Sequence, residues 1–97
     1  MLSNEMQDFI EIAKSLSEKL NTNVSIHPRI NVVGKDVNIE YCHFTAFLFG
    51  EKNEVDCLLE KQFCESGFRK KLRVTDEDVW TELSKECVSI SIGRPFN

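Results

Sequence analysis

The chain has 97 residues, 41% of them hydrophobic, and a formal net charge of −4 at pH 7. This length favours one domain with a single core, and the modest negative charge argues against general binding to nucleic acid or anionic membranes. No apolar segment approaches the ~18 residues of a membrane-spanning helix, and the first residues lack the pattern of a secretion signal. We therefore expect a soluble cytoplasmic protein with one domain over residues 1–93 and a short tail over 94–97.

The clearest predicted helix covers residues 4–20. Its apolar side chains recur at the i, i+3, i+4, i+7 spacing of one buried stripe, which consists of Met6, Phe9, Ile10, Ala13, Leu16 and Leu20. Asn4 can cap the first turn, with Gln7 in the capping-box position.

A long central strand over about residues 37–49 is expected to organise the sheet. In its first half Val37, Ile39 and Tyr41 alternate with polar residues, whereas its second half is apolar at successive positions. Because successive side chains of a strand point to opposite faces, we expect the first half to be buried on one face and the second half on both.

The residues before this strand predict its partner. Residues 24–32 alternate between apolar and polar side chains, and a turn at Gly34 follows, which is typical of a β-hairpin. Pro28 cannot donate a hydrogen bond to a neighbouring strand, so either an edge position or a break in the strand is expected there.

A second helix is predicted over residues 54–66. Asn53 is a suitable N-cap and Gly67 stands where a C-terminal glycine is expected. One helical face would carry Val55, Leu58, Leu59 and Phe63. Another strand is the alternative, because a short apolar run is ambiguous.

The last third predicts an extended segment at 68–74, a third helix at about 76–86 and a final strand at 88–92. The helix interpretation depends on Thr75 as a cap and on three acids in the first turn. Strands and helices mix without the regular repeat of a doubly wound fold, so we expect the α+β class, with a mostly antiparallel sheet and two to three packed helices.

Neither metal binding nor catalysis is predicted. The four cysteines, which are Cys42, Cys57, Cys64 and Cys87, lack the paired spacing of a metal site and have apolar neighbours, so we expect buried free thiols. His43 follows Cys42 on a strand and therefore points to the opposite face. No nucleophile elbow or phosphate-binding glycine loop is present, so we expect no enzyme, no catalytic residue and no cofactor.

An acidic cluster supplies the main functional hypothesis. It comprises Asp76, Glu77, Asp78 and Glu82, which would lie on the third predicted helix. A negative surface can steer a basic partner, such as a nuclease or another nucleic-acid-binding protein. The sequence therefore favours a small protein-binding module, of the inhibitor, immunity-type or adaptor kind, that acts by surface complementarity.

Two alternatives remain. The basic run Arg69, Lys70, Lys71 and Arg73 could contact nucleic-acid phosphates, although in a strand only Arg69, Lys71 and Arg73 would share a face. The second alternative is a homo-oligomer, such as a dimer, with a structural role. It would associate through apolar side chains of the central strand left uncovered by helices, with Phe44, Ala46 and Leu48 as candidates.

Overall fold

The computed structural model of the protein describes residues 4–96. Its elements in chain order are α1 (Asn4–Leu20), β1 (Ser25–Val33), β2 (Asp36–Phe47), α2 (Glu54–Glu65), β3 (Arg69–Val74), β4 (Asp78–Lys85) and β5 (Val88–Pro95). The strands form one sheet in the order β1-β2-β5-β4-β3, in which only β2 and β5 are parallel. The described chain is a small single domain with two helices and one sheet, so the predicted α+β class is confirmed. Neither helix of the described chain is long and apolar enough to cross a membrane.

The core lies between the two helices and one face of the sheet. The predicted stripe of α1 is buried there through Phe9, Ala13, Leu16 and Leu20. The sheet and α2 contribute Cys42, Phe44, Ala46, Leu59, Leu83, Ile90 and Ile92. Phe44 and Ala46 are fully covered, so they are wrong as candidates for an exposed oligomer surface.

β1 and β2 form the predicted hairpin, which turns at Gly34 with a φ of 62°. β1 is an edge strand, which is one of the two alternatives expected at Pro28. β2 ends at Phe47, two residues before the predicted limit, and lies between β1 and β5. The middle position of the sheet belongs to β5.

A β-bulge divides the hairpin in two. Arg29 pairs with Tyr41 and Ile30 pairs with Ile39, so Glu40 has no opposite residue. An extra residue in one strand shifts the alternation of its side chains. Ile39 therefore returns to the helix-bearing face, where it packs against the core, while Tyr41 lies on the other face. The prediction that these two side chains share a face is wrong.

Beyond the bulge the hairpin is a ribbon of two strands. β5 begins to pair with β2 only at Cys42, opposite Val88, so residues 30–39 have no third strand beside them. We call residues 30–39 the distal hairpin. It elongates the molecule to 48 × 25 × 24 Å, with a radius of gyration of 14.5 Å, against about 12.5 Å for a compact chain of this length.

The distal hairpin exposes aliphatic side chains. Ile30, Val32 and Val37 are 47%, 66% and 63% exposed, and the pairing of Ile30 with Ile39 and of Val32 with Val37 places them on the helix-bearing face. The prediction that the first half of β2 is buried on one face is therefore wrong. Neither helix covers this part of the hairpin.

The third predicted helix is also wrong, since residues 78–85 form strand β4. The Thr75 hydroxyl oxygen accepts hydrogen bonds from the backbone N–H groups of Glu77 and Asp78. A helix N-cap makes bonds of this kind, but here they close the turn between β3 and β4. The strand suits the sequence because Leu83 enters the core while Trp80 lies on the opposite face.

α2 forms as predicted, with reciprocal capping bonds at its start. The Asn53 side chain accepts from the Asp56 N–H at 3.1 Å, and the Asp56 carboxylate accepts from the Asn53 N–H at 3.0 Å. Asp56 also forms an ion pair with Arg94, whose guanidinium donates to the Gly50 carbonyl at 2.8 Å. Arg94 belongs to β5, which extends through Pro95. Two residues of the predicted tail are therefore part of the sheet.

Gly93 permits the close approach of Trp80 to the sheet. A Cβ atom at Gly93 would lie 2.7 Å from the Trp80 ring, whereas a Cβ at Gly50 would meet nothing within 4 Å. We expect Gly93→Ala to lower the free energy of unfolding by about 1–3 kcal/mol through overpacking, and Gly50→Ala to change it much less. Denaturant unfolding followed by circular dichroism measures both, and equal effects of the two substitutions would contradict this packing.

Candidate functional site

One face of the sheet is not covered by either helix, and we call it the open face. Three rows of side chains cross it because the strands are in register. The first row is His27, His43, Ser89, Ser84 and Arg69, the second is Ser25, Thr45, Ser91, Glu82 and Lys71, and the third is Phe47, Gly93, Trp80 and Arg73. The face therefore combines a polar, hydroxyl-rich centre with cations on β3 and aromatic rings at one end.

His43 lies half-buried in the first row. Its Nδ1 atom lies 2.6 Å from the Ser89 hydroxyl oxygen, and its ring centroid lies 6.2 Å from that of His27. Burial lowers the pKa of His43, and the charge of His27 lowers it further, while Glu82 opposes the change. Glu82 instead accepts a hydrogen bond from Arg73. Among the described residues no carboxylate orients His43 by a hydrogen bond, as the base of a nucleophilic site requires.

The basic run lies on β3 and divides between the two faces. Arg69, Lys71 and Arg73 are on the open face and Lys70 is on the helix-bearing face. The Arg73 Nε atom lies 2.5 Å from a Glu82 carboxylate oxygen, and its guanidinium lies 5.5 Å from the centre of the Trp80 ring. Within residues 4–96, Arg69 and Lys71 make no ion pair, so two of the four predicted cations are not engaged by internal carboxylates.

Lys70 takes part in an ion cluster around the buried carboxylate of Glu60, which the sequence did not predict. The Glu60 carboxylate accepts from the ammonium groups of Lys52 at 2.7 Å and Lys70 at 3.0 Å. Burial alone would raise the pKa of Glu60, but the two hydrogen bonds and the lysine charges overcome this and lower it. Lys70 therefore holds α2 against β3 and is not placed to contact a partner on the open face.

The acidic residues do not lie on a helix. Asp76 and Glu77 lie in the turn between β3 and β4, Asp78 begins β4, and Glu82 lies in the middle of the open face beside Arg73. Asp78 and Glu82 share one face of β4. The prediction of an acidic helix is therefore wrong, while the role of these four residues as partner contacts stays a prediction.

The cysteines differ from the prediction of four core thiols. Cys42 is buried, and burial together with the nearby Cys87 raises the pKa of its thiol. Cys57, Cys64 and Cys87 are exposed, and the first two belong to α2. Among the described residues no group of three or more His, Cys, Asp and Glu side chains could hold a metal ion.

The distal hairpin is the surface that sequence reasoning missed. Its aliphatic pairs lie on one face, and Val33 is 69% exposed on the other. The ribbon is electrically neutral, since residues 29–41 contain two basic and two acidic residues, of which Arg29 and Glu40 form an ion pair at 3.1 Å. The signal in the sequence was the length of the two alternating segments, which exceeds that of the other strands.

The helical layer has a different electrostatic character. Residues 4–20 and 51–66 together contain nine acidic and four basic residues. The rest of the chain is close to neutral, so the net negative charge of the protein resides mainly in the helices and in the loop before α2. A partner that approaches the open face therefore meets little of that charge.

Comparisons with protein-family models, with curated proteins and with solved structures found no match for this chain. A functional interpretation therefore depends on the geometry of the molecule itself. The described residues offer two candidate binding surfaces, which are the distal hairpin and the open face.

The Glu60 cluster predicts a pH-dependent stability. Because the folded-state pKa of Glu60 is lowered, its contribution is present above the ordinary value of 4.5 and is lost as the pH falls through the folded-state pKa. We expect Glu60→Gln to lower the free energy of unfolding at pH 7 by about 1–3 kcal/mol and to have a shrinking effect below pH 4.5.

The matched control is Glu65→Gln, which removes an exposed carboxylate 3.9 Å from Lys61 and should have a near-zero effect. Denaturant unfolding at a series of pH values measures both variants. Equal losses in the two variants, or a Glu60→Gln effect that does not depend on pH, would contradict the role of the cluster.

Proposed function

We propose that the protein is a non-catalytic protein-binding module that binds its partner through the distal hairpin. The observation that carries this proposal is the row of Ile30, Val32 and Val37, three aliphatic side chains that are largely exposed side by side on one face of the ribbon. Contiguous exposed apolar surface of this kind marks protein interfaces. The protein would still be an adaptor or inhibitor, as expected from the sequence, but its partner would contact the distal hairpin and not the acidic residues.

The total surface of the chain reflects its extended shape. Its accessible area is 6922 Å², whereas a compact monomer of 11.2 kDa exposes about 5,700 Å². The difference belongs to the whole chain. The distal hairpin contributes to it because β5 begins to pair with β2 only at Cys42, beyond residues 30–39.

The physics of the ribbon also favours a partner. An isolated two-stranded hairpin is only marginally stable in water, and a third strand or a packed layer is needed to stabilise it. Both long edges of the distal hairpin are free, since β1 is an edge strand and β5 begins only at Cys42. A partner that packs on the aliphatic row supplies the missing layer.

The compartment belongs to the same proposal. Cys57, Cys64 and Cys87 are exposed free thiols, and exposed thiols persist in a reducing environment. This supports a cytoplasmic protein whose partner is also cytoplasmic.

The hairpin proposal predicts a face-specific loss of binding. We expect Val32→Glu combined with Val37→Glu to weaken partner binding at least tenfold, because two carboxylates would be buried in an apolar contact. Val33→Glu is the matched control, since Val33 is equally exposed and lies on the opposite face. All three positions are exposed, so the fold should be retained, and circular dichroism verifies this.

The measurement begins with affinity capture from host extract on the parent chain and on both variants. A partner retained by Val33→Glu and lost by the double variant is then purified, and its dissociation constant is measured by calorimetry. A purified partner that binds the double variant and the parent chain equally would exclude the hairpin as the binding surface.

A second candidate function is binding of single-stranded nucleic acid on the open face. Arg69 and Lys71 lie there without internal ion pairs, on the same face as Phe47 and Trp80, whose rings are 5.7 Å apart. Cations beside aromatic rings on a sheet provide phosphate contacts and stacking surfaces for bases. The small number of cations limits the affinity expected at physiological salt.

Trp80 is the single tryptophan of the chain and reports directly on this surface. If nucleic acid binds there, oligothymidylate should quench Trp80 fluorescence at low salt, and Arg69→Glu combined with Lys71→Glu should weaken binding at least tenfold. The control combines Lys14→Glu with Lys61→Glu, which makes the same charge change on the helices. Unchanged fluorescence at low salt, or equal weakening in the control, would exclude this candidate.

A further inference from the structure

We infer that the occupant of the distal hairpin is a second copy of this chain, packed through the same aliphatic row across a two-fold axis. This inference rests on the proposed function, because it names the partner of the surface proposed there. It follows from three properties of the hairpin, which are its exposed apolar row, its charge and its shape.

The exposed row provides the centre of a symmetric contact. A symmetric dimer uses the same patch on both subunits, so each copy supplies about half of a standard interface, or ~800 Å². Ile30, Val32 and Val37 are exposed side by side on one face of the ribbon and would form the apolar centre of that interface.

The charge distribution selects the hairpin over other surfaces for self-association. Like charges brought together across an interface oppose association, and residues 4–20 and 51–66 carry a surplus of acids. Two copies that met through their helices would place these surpluses against each other. The hairpin has equal numbers of acidic and basic residues over 29–41, so the two ribbons bring no net charge of their own into the contact.

The shape of the row is self-complementary. Val32 pairs with Val37 and Ile30 pairs with Ile39 across the ribbon, which gives two short parallel rows of β-branched side chains without a large projecting group. Rows of this kind interdigitate when two sheets pack face to face at about 10 Å. In the dimer each ribbon therefore becomes one layer of a four-stranded sandwich, which stabilises a segment that has two strands in the single chain.

Sedimentation velocity over a dilution series from micromolar to several hundred micromolar tests the inference with the intact chain. We expect a species of twice the 11.2 kDa chain mass that dissociates on dilution. Val32→Glu combined with Val37→Glu should raise the dimer dissociation constant at least a hundredfold, because each interface would then hold four carboxylates. Val33→Glu should leave it within about threefold of the parent chain, and circular dichroism confirms that each variant is folded.

Hydrogen exchange provides a second measurement. Backbone amides of residues 30–39 should become better protected as the concentration rises, while those of α1 should not change. A parent chain that stays monomeric across the series overturns the inference, as does a dimer that the double variant retains.

The two proposals fail in distinguishable ways. If the parent chain is monomeric and yet a different purified protein binds it in a Val32- and Val37-dependent manner, self-association is wrong and the proposed function stands. If the chain is monomeric and the double variant also keeps every hetero-partner, both are wrong.

Discussion

The pairing of β2 with β5 determines the shape of this molecule. The two strands run parallel, and their contact begins where Val88 meets Cys42, because the chain turns at Glu86, which has a φ of 52°, before it enters β5. On one side of that point five strands and two helices enclose the core. On the other side only β1 and β2 continue. The exposed aliphatic row and the elongated shape both follow from the position at which β5 starts.

Most elements could be predicted from local patterns, because local physics alone specifies them. The stripe of α1, the N-cap of α2 and the alternation of β1 each depend on residues a few positions apart. Residues 76–86 could not be predicted in this way. The Thr75 hydroxyl makes hydrogen bonds that suit either a helix cap or a tight turn, and the decision depends on β3 and β5, which pair with β4 from both sides.

The candidate surfaces were predictable in part, for a related reason. Alternation alone places Arg69 and Lys71 on one face of β3. The buried Glu60 that engages Lys70 belongs to another element, and nothing in the local sequence indicates that contact. The bulge at Glu40 is equally hidden, although it decides which side chains of the hairpin face the helices. The candidate surfaces therefore depend mainly on contacts between distant segments, which local sequence patterns do not reveal.

Pro28 helps to protect the edge of the sheet against uncontrolled aggregation. The unpaired N–H and C=O groups of a free sheet edge can pair with strands of other molecules, and natural edges are protected from this by proline and by charged side chains. Pro28 removes a backbone donor near the middle of β1, and β3 carries four cations along the opposite border. Growth into a continuous fibre is thus discouraged at both borders. Pro28 and the cations of β3 therefore oppose strand addition at the two borders, while the apolar face of the distal hairpin stays exposed.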